Sequence, residues 1–216
     1  MSAPFFKDDI EFLQRFLKCG GFYHDEVDGE WGPDTEAAMT AFEAASSAIK
    51  QQMGESDARS EQKILTLHIP VQRAARRALQ SLAVAGITAK IISGTRTYAE
   101  QDALFEIGRS KPGNRVTNAR GGESNHNFGL AWDIGIWVDG FYDGKRTPRD
   151  AALERRADDQ YQGASSAILG LGIVGLEWGG NWMSIKDFPH YQLAGGLSVS
   201  RVRERFERGE PYLPTG

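Results

Sequence analysis

Cysteine is nearly absent from this 216-residue chain: Cys19 is the only one. That excludes an intrachain disulfide and any cysteine-rich zinc site, so a metal would have to be held by histidine and carboxylate. Histidine is scarce as well, with four residues, His24, His68, His126 and His190. No apolar run approaches the roughly 18 residues a membrane span needs. An excess of basic charge is missing too: the formal net charge is -4, which argues against nucleic acid as the principal partner. The start, MSAPFFKDDIEF, lacks the basic and apolar regions of a secretory signal, so synthesis as a cytosolic, soluble chain is expected, with delivery by a partner if the substrate lies beyond the membrane. No internal repeat is visible.

What is present suits a globular protein. Hydrophobic residues make up 40% and charged residues 25%, enough for a real core, and the length suggests one main domain plus a small module. Ile10, Leu13, Phe16 and Leu17 recur at helical spacing before Gly20-Gly21. DEVDGEWGP then leads into a second helix, with Pro33 in its first turn and Ala38, Met39 and Phe42 on its buried side. ASSAIKQQMGESDARSEQ, about 45–62, has no apolar stripe and reads as helix fraying into a linker. Beyond it come a helix from Val71 to Leu82, a strand over Ile87–Ser93, and a helix over Tyr98–Gly108 with Ala103, Leu104 and Ile107 as apolar positions. Further helix is expected between Arg149 and Leu169, strands at Val174–Trp178 and His190–Leu193, and a closing helix from Ser198. Strands and helices do not alternate regularly, which predicts an α+β domain rather than a doubly wound parallel sheet.

The chemistry centres on SNHNFGLAWDIG, where Asp133 interrupts an apolar strand pattern. A carboxylate buried without a partner costs several kcal/mol, so Asp133 needs a donor cluster or a metal. His126 lies upstream across a bend supplied by Asn127 and Gly129. A third ligand must come from elsewhere. His24 sits in a turn and His68 at a helix entrance, both ordinary surface or capping positions, which leaves His190 in KDFPHYQL. Asp187 precedes it by three residues on a turn stiffened by Pro189, placed to reach a water on the metal without ligating it. Two imidazoles and a carboxylate on zinc leave an open position for water, whose pKa falls towards about 7. Asp187 would take that water's proton and return it to a leaving amine. Arg96, just beyond a strand, is the candidate cation for an oxyanion or a substrate carboxylate. Trp178, Gly179, Gly180 and Trp182 read equally well as a cleft wall or as core and turn, and Ser124 as a substrate contact or a local cap. Arg201, Arg203, Arg205 and Arg208, interleaved with Glu204 and Glu207, suggest a solvated helix face.

Two resemblances follow from these residues. Leu13-Gln14, Val27-Asp28-Gly29, Trp31-Gly32-Pro33, Thr35 and Phe42, within Phe5 to about Ala45, resemble the peptidoglycan-binding domain-1 family. Ser93-Gly-Thr-Arg96, Ser124-x-His126-x-x-Gly129-x-Ala131-x-Asp133 and Asp187-x-x-His190 are similar to the M15 family of zinc peptidases, the D-alanyl-D-alanine carboxypeptidase and endolysin group, over about Ile64 to Leu193. The resemblance implies a Hedgehog/D,D-peptidase-like fold, with His126, Asp133 and His190 as ligands of Zn2+, Asp187 as catalytic base and Arg96 as an assisting residue. Aspartate rather than glutamate at the base position points within that family to the L-alanyl-D-glutamate endopeptidases. The expected organisation is therefore a wall-binding module over 1–45, a linker over 46–62 and a zinc peptidase domain over 63–216. The expected activity is hydrolysis of the L-Ala–D-Glu bond of peptidoglycan by a monomer, as a phage endolysin released through a holin or an antibacterial effector delivered by a secretion apparatus. A D-Ala-D-Ala carboxypeptidase and a non-catalytic, zinc-stapled wall-binding protein are the alternatives.

Overall fold

The computed structural model describes residues 6–138, 141–142, 151–183 and 186–213. Phe5 and Arg149, where the first module and a later helix were expected to begin, lie outside the described residues. The chain opens with α1 (Lys7–Cys19) and α2 (Pro33–Met53), joined by the DGEWGP turn. Gln14, fully buried, holds this turn. Its Nε2 donates to Asp28 Oδ1 at 2.8 Å and Thr35 Oγ1 at 3.1 Å, and its Oε1 accepts from the amides of Asp28 and Gly29 at 3.1 and 2.9 Å. One amide side chain thus replaces the backbone partners that a tight turn lacks.

The polar stretch expected to fray into a linker is mostly helical. α2 continues to Met53, and α3 covers Ala58–Ile64. Its polar residues find partners on α4 (Ile69–Val84), which composition alone does not reveal. Ser46 accepts from Gln72 Nε2 at 3.0 Å, and Glu61 forms a two-point ion pair with Arg76 at 2.6 and 2.8 Å. Ile49 is buried as well. Arg76 and Glu61 are both buried, so removal of either partner would strand a charge at a cost of about 3–5 kcal/mol.

Next come β1 (Ala89–Ser93), α5 (Tyr98–Glu106), β2 (Ala131–Val138), β3 (Phe141–Tyr142), α6 (Ala151–Leu169), β4 (Leu176–Trp178), β5 (His190–Leu193) and α7 (Val199–Arg208). The sheet order is β1-β2-β5-β4, with β3 paired to β2, and each of these pairings is antiparallel. The architecture is α+β, as the irregular alternation of elements predicts. On α5 the apolar pattern misled: Ala103 is exposed, and the buried position is Gln101, which donates to Ala119 O at 3.0 Å. The arginines of α7 are a solvated face, with Arg203 on Glu207 at 2.7 Å and Arg208 on Glu204 at 2.8 Å.

His68 is neither at the surface nor a side-chain cap. It occupies the residue before α4, but its ring is buried, stacks on Phe16 at 4.0 Å, and meets Tyr212 Oη at 2.8 Å. Tyr212 donates onward to Phe128 O at 2.8 Å. Burial pushes the His68 imidazole down to about 3, so it is neutral. Phe16, Leu17 and Phe42 of the first two helices share one apolar core with Leu67, Val71, Phe128 and Leu130.

Candidate metal centre

Period-two alternation divides the central strands into two faces. Trp132 and Ile134 on β2, and Tyr191 and Leu193 on β5, point into the core. Asp133, His190 and Gln192 therefore share the other face, where they line a cleft of about 850 Å³. Asp133 lies directly opposite His190, and Gln192 opposite Glu177 of β4. His126 reaches the same point from a single 3-10 turn, Asn125–Phe128, capped by Ser124 Oγ, which accepts from His126 N at 3.4 Å. The turn leaves through Gly129 at φ +66°, a left-handed conformation that glycine adopts without strain. Asn127 donates to Arg96 O at 3.0 Å and accepts from Gly122 N at 3.0 Å, which ties the turn to both flanking loops.

Three donor atoms converge here. His126 Nε2 lies 3.1 Å from Asp133 Oδ1 and 3.2 Å from His190 Nδ1, and the last two are 3.3 Å apart. The outer nitrogen of each ring faces an acceptor: His126 Nδ1 meets Gly94 O at 2.7 Å, and His190 Nε2 meets Gln192 Oε1 at 3.0 Å. Those acceptors place the ring protons outward, so two imidazole lone pairs and a carboxylate oxygen point at one another. Such a triangle is repulsive by itself and suits a cation. Ligands about 2.0–2.1 Å from a tetrahedral zinc lie about 3.3 Å apart, which is the edge length seen. The residues present fit a metal.

The same groups also favour a positive charge among them when a proton on a ring supplies it. Burial alone pushes the Asp133 carboxyl up, but His126 and His190 outweigh it and hold it well below the usual carboxylate range. Burial pushes His126 down, whereas for His190 the Asp133 carboxylate outweighs burial and raises it. Half-buried Asp187 also lines the cleft, and its carboxyl is raised by burial and by the charge of Asp133. A carboxyl shifted upwards and close to a metal site is suited to exchanging a proton with substrate. Arg96 donates to Asp133 Oδ2 at 2.8 Å, and Ser93 Oγ and Gln101 Oε1 hold its guanidinium at 2.7 and 3.0 Å. It lines the cleft while neutralising the outer oxygen of Asp133.

All five residues singled out from sequence thus lie around one cleft. The tryptophan-glycine motif divides. Trp178 is core, with its indole donating to Phe188 O at 2.8 Å, while Trp182 lines the cleft with its ring 4.9 Å from that of His190. A Cβ on Gly179 would lie 2.5 Å from Asp187 O and 3.1 Å from His190 Cβ, so this glycine admits the protein's own chain, which carries Asp187 past it. Sequence reasoning missed Gln192, Glu177 and Asn125; for Gln192 the available signal was its position two residues beyond His190 on a strand.

The model of a D-alanyl-D-alanine carboxypeptidase family matches residues 117–193, and a second of the same description matches 65–144. The peptidoglycan L-alanyl-D-glutamate endopeptidase CwlK of Bacillus subtilis is 38% identical over 135 residues, which cover 59% of this chain and 73% of CwlK. The chain belongs to the M15 peptidase family. A putative peptidoglycan binding domain model matches residues 7–47 of this M15 peptidase. Among solved structures, the L-Ala D-Glu endopeptidase ChiX of Serratia marcescens is 27% identical, covering 64% of the M15 chain and 88% of its own, at a TM-score of 0.44. No helix among the described residues is long and apolar enough to cross a membrane.

Proposed function

We propose that this M15 peptidase is a zinc-dependent peptidoglycan endopeptidase that cleaves between L-Ala and D-Glu of the stem peptide. The observation that carries the reading is the lone-pair triangle of His126, Asp133 and His190 beside half-buried Asp187, in a chain 38% identical to an enzyme named for that bond. His126, Asp133 and His190 would hold a zinc ion, which would supply a Lewis acid and a water acidified towards about pKa 7. Asp187 then accepts the proton of the attacking water on a carboxylate oxygen and delivers it to the leaving amine of D-Glu. Arg96 orients the Asp133 carboxylate through its 2.8 Å contact. Trp182 and the glycine-supported turn of Asp187 form one wall of the cleft. We further propose residues 1–45 as a wall-binding module on a catalytic part over 63–216, and a cell-wall lytic role as an endolysin or delivered effector.

Mass spectrometry of defined muropeptides after incubation with the zinc-loaded protein tests this, with Asp187→Ala as control. Loss of the peptide beyond L-Ala, absent in the control, is the expected result. Both catalytic family models carry a D-alanyl-D-alanine carboxypeptidase description, which favours that second reading. Release of terminal D-Ala alone would establish it in place of the first.

A further inference from the structure

The His190 imidazole is the end of a polar chain that runs across the sheet. Its Nε2 faces Gln192 Oε1 at 3.0 Å, the same oxygen accepts from Asn125 Nδ2 at 2.9 Å, and Gln192 Nε2 donates to Glu177 Oε2 at 2.8 Å. Asn125, His190 and Gln192 are all at least nine-tenths buried. Almost every member could be reversed. The asparagine and glutamine amides can flip, and the imidazole can move its proton to Nδ1. The Glu177 carboxylate is the exception, because a carboxylate only accepts.

That asymmetry sets the direction of the whole chain. Glu177 requires the NH2 of Gln192 to point at it, so the carbonyl of Gln192 must face His190, so the His190 proton must sit on Nε2. Nδ1 is then left as a bare lone pair towards His126 and Asp133. Asp133 works in the opposite sense: its Oδ1, 3.3 Å from His190 Nδ1, attracts a proton to the very atom that has to ligate.

We propose that Glu177, acting through Gln192, is a positioning residue that fixes the metal-binding tautomer of His190. It does so from the neighbouring strand, with an amide between itself and the ligand. The inference rests on the metal-site reading above. Outer partners of ligating histidines are worth about 10–100-fold in metal affinity, which sets the effect to expect.

The test is zinc affinity of the full chain, measured by competition with a chromogenic chelator, for wild type, E177Q, Q192E and the double variant E177Q/Q192E. Each single variant breaks the polarity: E177Q lets the Gln192 amide flip, and Q192E sets two carboxylates against each other. The exchange of the two restores it, with a carboxylate at position 192 accepting from His190 and Asn125 and an amide at position 177 donating to it. Zinc binding weakened at least about tenfold in both single variants and recovered in the double variant is the expected result. Unfolding of the zinc-free forms serves as a second readout, since a merely structural contact would lower their Tm in step with affinity. E177Q binding zinc as tightly as wild type, or an exchange that recovers nothing, would overturn the inference. Wild type that binds no zinc would instead overturn the metal-site reading.

Discussion

Gly129 joins the His126 turn to the strand that carries Asp133, and a single methyl group there has a calculable consequence. Its φ of +66° costs an L-residue about 1–2 kcal/mol. An added Cβ would also stand 2.5 Å from Phe16 Cε2 and 2.9 Å from His68 Cδ2. Neither ring can swing aside: Phe16 is stacked on His68 and packs edge-on against Phe42 at 5.5 Å, and His68 is pinned by Tyr212. Overpacking of this kind costs about 1–3 kcal/mol, so Gly129→Ala should destabilise by about 2–5 kcal/mol in all. At roughly 2–4 °C per kcal/mol for a chain of this size, Tm should fall by about 4–20 °C. Urea unfolding followed by circular dichroism gives the free energy directly. Combining Gly129→Ala with Phe16→Leu, which removes the offending ring edge, separates the two contributions. The clash with Phe16 is relieved while the backbone strain and the His68 contact remain, so the double variant should be more stable than additivity predicts by about 1–3 kcal/mol. Additive costs within about 0.5 kcal/mol would refute the claim that the first helix presses on the His126 turn.

Asp187→Asn should lower kcat by about 10²–10⁴ while bound zinc, measured by metal analysis of the purified protein, stays stoichiometric; loss of both would mean that Asp187 supports the site rather than moving a proton. Saturating zinc at about 100 times its dissociation constant should stabilise the chain by about 2.7 kcal/mol, so chelation should lower Tm, and an unchanged melting curve would count against the triangle as a ligand set. His68 makes stability depend on pH. Its folded value of about 3 lies below the ordinary 6.5, so between those values the unfolded chain binds the extra proton and stability falls as pH falls. At pH 5 the loss is about 2 kcal/mol relative to neutral pH, and His68→Gln should reduce the difference between the two pH values by that amount.

The candidate site was legible in sequence where chemistry is concentrated in rare residue types. With four histidines and one cysteine, few ligand sets can be built, and an aspartate within LAWDIGIWV is conspicuous because burying it is costly. What stayed hidden depends on partners distant in the chain. Ser46, Glu61, Gln72 and Arg76 are polar, so the stretch around them reads as solvated until the fold pairs them with one another. Gln101 is buried in place of Ala103 for the same reason, since Arg96 and Ala119 satisfy its amide. Gln192 and Glu177 face each other only because β4 and β5 are neighbours in register, and no local pattern carries that information.

His68 had the largest consequence, because it joins the first module to the site. Its ring meets Phe16 on one side and the hydroxyl of Tyr212 on the other, and that hydroxyl holds the carbonyl of Phe128 in the His126 turn. A module on a flexible tether could leave the peptidase at no cost. Here separation would expose Phe16, worth about 1.5–3 kcal/mol alone, and would break the contacts of Ser46 with Gln72 and of His68 with its stacked partner. Any grip of the first two helices on the wall is therefore rigidly linked to the cleft. If the module grips the wall as proposed, it would not search independently for a second site, and a wall strand held by it would present its stem peptides to His126, Asp133 and His190 from a fixed distance and direction.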